Sequence, residues 1–506
     1  MVDFDLTKEL LPGLPAYDGG RMSDDIYNAG DGLYDTRVID GDPNEIPFFC
    51  DGAEMTDAEF NAALTSLDRA GINYHYQYAK GGIGLRIRHQ RRLINVQYCG
   101  GIVHTQIVDD YVPSVRTPVY VRAVTETDEA AFLAYLAAVR TVGYQTVFEH
   151  EIEGNLIAEL TGNGHLLHAV YTPGDSTARF CCDAVSEGID TFGYQTEPKP
   201  GKTEIYQFGL YYSVMRVGFT CDCGMCYLIK LSDNALFFVD GGHYSQATEE
   251  ATEALWTLMH EITGTPMGGV IRIAGFFCTH AHSDHMDMFS RLLRLHHEEI
   301  KLERVMFNFV ADEVSPICTE SFLLIHRIRK YYPEVRFRKL HMGDMFTLAD
   351  ARFEVLQTHE DSISAAGNEI IGAFNDTSTV LKVTFDGRSF LILGDIDNGA
   401  EDVLLRHYTA ATLHTDIVQC AHHVFNKLER LYDVIDADWA LVPQGERVRT
   451  NHDAPKYEVI ARTVPYDNFL FSNQFTDGLR VNAETGEVEH HYHVPQIGGV
   501  YDGAAL

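Results

Sequence analysis

Short, almost wholly apolar runs alternate with amphipathic ones through the second half of the chain. MCYLIKL (residues 225–231), ALFFVDGG (235–242) and IAGFFCT (273–279) read as strands; a strand covered on both faces loses its in–out alternation. Between them, SQATEEATEALWTLMHEITG (245–264) sets Ala251, Leu255, Leu258 and Ile262 along one helical face and ends on Gly264. A second helix is expected in DMFSRLLRLHHEEI (287–300). Strands and helices in alternation predict a layered α/β architecture.

The first half has a different rhythm. TDAEFNAALTSLDRAG begins at Thr56 and TDEAAFLAYLAAVRTVG at Thr127; each sets Phe (Phe60, Phe132) four residues before Leu (Leu64, Leu136) and closes on Gly (Gly71, Gly143). Thr56 with Glu59 fits a capping box. Each helix is followed by alternating, glycine-punctuated stretches such as QTVFEHEIEGNLIAEL, which read as antiparallel hairpins. The expected organisation is an irregular lead-in (1–50), an α+β domain of two loosely repeated helix-plus-hairpin units (51–200), a linker at EPKPGKTE, a second domain over 205–490 and a tail (491–506).

Composition adds constraints. At 506 residues the chain exceeds a single core. With 45% hydrophobic and 22% charged residues it reads as an ordinary globular protein. The opening MVDFDLTKELLPGLP has neither the basic flank nor the apolar core of a signal peptide, and no apolar run spans a bilayer, so a cytoplasmic protein without a membrane partner is expected. The ten scattered cysteines suit reduced thiols. CDCGMC (Cys221, Cys223, Cys226) lacks a fourth partner at finger-like spacing and runs straight into a strand. Net charge is −34, from 73 acidic against 39 basic residues, which argues against a grip on duplex DNA. The basic runs RIRHQRR (86–92) and HRIRKYYPEVRFRK (326–339) read as solvated faces, with a local site for an anionic substrate as the alternative.

Chemistry concentrates in CTHAHSDHMDMF (278–289), where His280, His282, Asp284 and His285 fall within six positions at a strand-to-helix junction. Imidazole and carboxylate are strong ligands for borderline divalent metals. Two histidines turned toward one ion leave Asp284 and His285 for a second. Further strands end in ligand types: FEVLQTHED at His359, RSFLILGD at Asp395, placed to bridge two ions, and DIVQCAHH at His422 and His423. Asp240 ends an earlier strand beside two glycines. Such tips describe a metal site built along one edge of a sandwich.

With Asp240, the His280-to-His285 cluster, Asp395 and His422 in this order, residues 205–490 resemble the metallo-β-lactamase-fold hydrolase superfamily. Within it, NDTSTVLKVTFDGRSFLILGDIDNGAEDVLL is most similar to the soluble hydrolase domain of bacterial DNA-uptake (competence) channel proteins. Those carry Asn and Ser before a strand pair ending in Gly-Asp, then His-His-Gly-Ser. Here His422-His423 is followed by Val424-Phe425. The resemblance implies an αββα sandwich with His280 and His282 (and His359) on one metal, Asp284, His285 and His422 on the other, and Asp395 between them. Asp284 would orient the nucleophile, a metal-bound hydroxide; His423 would pass a proton to the leaving group; Asp240 would fix the ligand loop. Zinc is the first expectation, manganese or iron the alternatives. His282 stands where the superfamily's di-iron, oxygen-reducing branch commonly has glutamate, which favours hydrolysis.

The expected activity is therefore that of a two-metal phosphodiesterase acting on a small or single-stranded phosphate ester. A lactone or thioester hydrolase of the same fold is one alternative. The other is a non-catalytic metal-binding scaffold whose amino-terminal domain binds a partner.

Overall fold

The computed structural model describes residues 54–69, 118–184, 202–208, 224–242, 249–310, 320–364, 374–444 and 454–472, with shorter segments at 14–15, 17, 19–22, 27–31, 39–40, 74–79, 82–89, 92–99, 102–109, 367–368, 479–482 and 488–490. Cys221, Cys223, Gly71 and most of the linker at residue 200 lie outside them. Two sheets packed face to face form the centre of the second half. In the first, the strands run in the order Arg336–Lys339, Arg304–Phe307, Ile271–Phe277, Leu236–Val239, Tyr227–Lys230, Glu204–Gln207, Leu479–Asn482 and Val488–His490. In the second they run Met345–Leu348, Ala351–Gln357, Val380–Phe385, Arg388–Ile392, Ile417–Gln419, Trp439–Val442 and Phe469–Phe471.

Alternation along each strand divides its side chains between two layers. Tyr227, Ile229, Phe237 and Val239 point inward to meet Phe353, Val383, Phe390 and Ile417 of the other sheet. Leu228, Leu236 and Phe238 point outward, beneath the helices Glu249–Thr263, Asp287–His296 and Glu320–Tyr331. The second sheet's outer face is covered by Asn398–His407, Glu429–Ile435 and Ala454–Ile460. This is an αββα sandwich. Burial on both faces is why these strands are apolar throughout. Gly264 ends its helix with φ +67°, as the sequence predicts, and Leu255, Leu258 and Ile262 are buried. Among the described residues no helix is long and apolar enough to cross a membrane.

The first half holds two helix-on-meander units. The helix Asp57–Arg69 packs Phe60 and Leu67 on Leu85, Val96 and Tyr98 of a five-stranded sheet. Its capping box is formed, Glu59 Oε2 accepting from Thr56 N at 2.7 Å and Thr56 Oγ1 from Glu59 N at 3.3 Å. The helix Glu129–Thr141, capped by Asp128, packs Phe132 and Leu136 on the strands Asn155–Gly162, His165–Thr172 and Thr177–Ala184. The opposite face of this second sheet lies against the sandwich: Phe148, Ile157 and Val170 join the core that contains Met342, Leu356 and Leu404. Gly343 admits Ile157, whose Cγ1 would lie 2.6 Å from any Cβ there.

The basic run at 326–339 departs from expectation. Arg338 and Lys339 are 1% and 5% exposed. Arg338 pairs with Glu159 and Asp344, and Lys339 with Glu360 at 3.0 Å. The expected solvated face is not found at Arg338 because its partner Glu159 belongs to the other half of the chain.

Candidate metal centre

Four loops at one edge of the sandwich supply the site. The strand Ile271–Phe277 ends at Cys278, and the turn after it carries His280, His282, Asp284 and His285. Asp240, at the tip of Leu236–Val239, holds that turn: its carboxylate accepts from Thr279 N at 2.7 Å, Thr279 Oγ1 at 2.9 Å and His285 Nδ1 at 2.6 Å. Gly241 is required beside it, because a Cβ would meet Phe289 Cβ at 2.3 Å. Across the gap, Arg388–Ile392 runs into Gly394 and Asp395. Gly394 has φ +58°, and a Cβ there would sit 2.8 Å from Ser378 and 2.9 Å from Thr279. Gln419 Oε1 takes the N–H groups of Leu393 and Gly394, both at 2.8 Å, and Ser378 Oγ takes that of Asp395 at 3.0 Å. Asp395 is thus presented by a fully hydrogen-bonded turn.

Asp395 Oδ2 lies at the centre. His285 Nε2 is 3.3 Å away, His423 Nε2 3.5 Å and His280 Nε2 3.9 Å. Asp284 Oδ2 is 3.3 Å from His423 Nε2, and His280 Nε2 is 2.9 Å from His282 Nδ1. Two groups of ligand atoms share Asp395: Asp284, His285 and His423 on one side, His280 and His282 on the other. Three imidazoles are oriented through Nδ1, which leaves Nε2 aimed inward. His285 Nδ1 meets Asp240, His423 Nδ1 donates to Pro443 O at 3.0 Å, and His280 Nδ1 lies 3.1 Å from Thr279 Oγ1. Anchoring one ring nitrogen so that the other can ligate is how proteins fix a metal-binding histidine. His285 Nε2, His423 Nε2 and Asp395 Oδ1 are buried without a hydrogen-bond partner, which is costly unless a cation or proton satisfies them.

The electrostatics agree. Burial opposes charge at every position, yet His285 and Asp395 hold each other ionised: His285 stays protonated well above the histidine range, with Asp240 and Asp284 adding to Asp395. Asp284 and Asp395 are held well below the carboxylate range by His285 and His423. Asp395 and Asp284 push His423 up to about 10 against its burial. Burial and the neighbouring imidazoles keep His280 low, and burial lowers His282. Buried carboxylates retaining cationic neighbours describe a seat for positive charge, and the residues present fit a pair of divalent ions.

Three sequence expectations meet different surroundings. His423, expected as proton donor, stands in the ligand group. His422, expected as ligand, is half-buried with Nε2 3.0 Å from Asn375 Nδ2. The cause is backbone: His422, His423 and Val424 all have positive φ (47°, 48°, 61°), and this left-handed turn swings the second imidazole inward. His359 lies in neither group; fully buried, it meets Asn308 Oδ1 through Nε2 at 3.0 Å. Thr279, Ser378 and Gln419 were absent from the expected site. Ser378 did carry a signal, in the Asn-and-Ser pattern before the strand pair.

No family model and no curated protein matches the chain. Among solved structures, it is similar to unliganded PDE1 from yeast (11% identity, TM-score 0.33, covering 52% of this chain and 94% of that one). It is also similar to Tm1679, a metal-dependent hydrolase of the β-lactamase superfamily (12%, 0.31, 54% and 97%). A third similarity is to CmlA, a diiron β-hydroxylase from Streptomyces venezuelae (13%, 0.28, 53% of this chain), about half of whose length is spanned. The layer order is that of an αββα sandwich, with candidate ligand side chains gathered at one edge.

Asp240→Asn is expected to weaken metal affinity and turnover by about 10- to 100-fold, because an amide cannot match the charge that holds His285. Metal titration of the variant measures this; unchanged affinity and rate would remove the bracing role.

Proposed function

We propose that the chain is a two-metal hydrolase, most simply a phosphodiesterase for a small or single-stranded phosphate ester. The observation that carries this reading is the convergence of five ligand side chains on the shared carboxylate of Asp395. His280 and His282 would hold one ion, Asp284, His285 and His423 the other. Bound there, the ions supply a water of lowered pKa and positive charge facing the anion that develops at phosphorus. Asp284, partly exposed at the rim, orients the attacking water as acceptor. His422, half-buried beside Asn375 and outside the ligand group, takes over the role of proton donor to the leaving group.

The all-nitrogen-and-oxygen ligand set supports zinc or manganese, and the net charge of −34 supports a small or flexible substrate over duplex DNA. The nearer likeness to the DNA-uptake hydrolase domain rests on the Asn375, Ser378 and Asp395 pattern. Among the described residues, Cys181, Cys182, Cys226, Cys278 and Cys420 are free and buried, which supports a cytoplasmic setting.

The test pairs metal analysis with turnover. The zinc- or manganese-loaded chain is expected to hold two ions at this centre and to hydrolyse a bis-aryl phosphodiester and short single-stranded oligonucleotides. Turnover restricted to lactones or thioesters would redirect the substrate class. A loaded site with no turnover on any of these would favour the scaffold reading.

A further inference from the structure

A second convergence of ligand types lies away from the edge just described, where the amino-terminal sheet meets the sandwich. The strand Thr177–Ala184 turns Cys181 and Asp183, two residues apart and so on one face, toward the sandwich. From the other side come His341, just after Arg336–Lys339, and Glu360, in the turn His359–Ser362. Cys181 Sγ is 3.3 Å from Glu360 Oε2, which is 2.7 Å from His341 Nδ1. The three ligand atoms all lie within 4.8 Å of one another, and all three residues are buried.

We propose that Cys181, His341 and Glu360 bind a structural divalent cation of the zinc type, clasping the amino-terminal sheet to the sandwich. Three observations support it. First, the donor set is thiolate, imidazole and carboxylate, which suits a borderline metal. In a tetrahedral site with bonds of about 2.1 Å, neighbouring ligand atoms stand about 3.4 Å apart. The Cys181–Glu360 separation already matches, and the Glu360–His341 contact opens by less than about 1 Å once the proton between them leaves.

Second, the far side of His341 is arranged as for a metal ligand: its Nε2 faces Asp183 Oδ2 at 3.4 Å. A carboxylate behind the imidazole fixes the ring and raises its basicity. His168 stacks on the same ring with centroids 4.5 Å apart, and Asp183 Oδ1, in a residue 2% exposed, has no hydrogen-bond partner.

Third, the seam is short of positive charge. The buried cations Arg179, Arg338 and Lys339 are set among the buried carboxylates Glu159, Asp183, Asp344, Glu360 and Asp361. A divalent cation held by Cys181, His341 and Glu360 would supply the difference, with Lys339 still beside Glu360 Oε1 at 3.0 Å.

The test uses the full chain loaded with cobalt(II) in place of zinc. The candidate ligands of the hydrolytic centre are nitrogen and oxygen, so a thiolate-to-cobalt charge-transfer band that depends on Cys181 reports the seam. The band is expected in the wild type and in Asp395→Ala, and is lost in Cys181→Ser together with one metal equivalent per chain. Glu360→Gln is a second variant expected to weaken the band. A wild type without the band, or a Cys181→Ser chain keeping both band and metal content, would overturn the proposal. A chain that binds seam metal yet hydrolyses nothing would leave it standing while removing the hydrolase reading.

Discussion

Asp395→Ala is expected to abolish turnover to within background, a loss on the order of 10³-fold or roughly 4 kcal/mol of transition-state stabilisation. Both groups of ligand atoms include this carboxylate. Its removal leaves His285, His423 and His280, at 3.3, 3.5 and 3.9 Å, without the charge between them. His285 and His423 then lose the carboxylate that does most to hold them protonated. Metal content should fall by more than one equivalent, because a bridge serves both positions. Asp395→Asn separates charge from shape: it retains the hydrogen bond from Asp395 N to Ser378, which is a main-chain contact, and is still expected to lose most turnover. Mass spectrometric metal analysis beside single-turnover rates measures both. An Asp395→Ala chain that keeps two ions and near-normal rates would eliminate the bridging geometry as the basis of activity.

The second large effect distinguishes two adjacent histidines. His423→Ala is expected to lose one ion and about 10²- to 10³-fold in rate, since its Nε2 faces both Asp284 and Asp395 while Nδ1 is held by Pro443. His422→Ala is expected to keep full metal occupancy and to lose about 10-fold or more in rate, with the greatest loss on substrates whose leaving group is a poor one and needs a proton. Comparing the pair on esters with good and poor leaving groups checks the assignment. Metal loss on His422→Ala with full occupancy in His423→Ala would return the roles to the sequence-based expectation.

Much of the edge was readable because ligand residues stood at the ends of apolar runs. A strand buried on both faces announces itself in composition, and the polar residue where it stops is where the chain leaves the core. Asp240, Asp395 and the 280–285 cluster all follow this rule, and the structure brings them together. The choice between His422 and His423 did not follow, because it depends on three consecutive left-handed residues. Val424 stands where the resembled motif has glycine, so composition gave no hint of positive φ there. His359 ended its strand as a ligand should, yet its ring turns to Asn308, a residue 51 positions earlier. The buried role of Arg338 was equally out of reach, since its partner Glu159 lies 179 positions away. Local pattern locates strand tips; it does not report which distant carboxylate meets a basic side chain.

The strand Glu204–Gln207 pairs on one side with Tyr227–Lys230 and on the other with Leu479–Asn482. During synthesis its second neighbour therefore emerges only after some 270 further residues have been made, so the first sheet keeps an open edge until Leu479–Asn482 has been translated. The amino-terminal meanders and the second sheet can close before that moment, whereas completing the first sheet is a late event. Truncations short of residue 482 should thus yield chains that remain bound to chaperones, even though every ligand of the metal centre has already been translated.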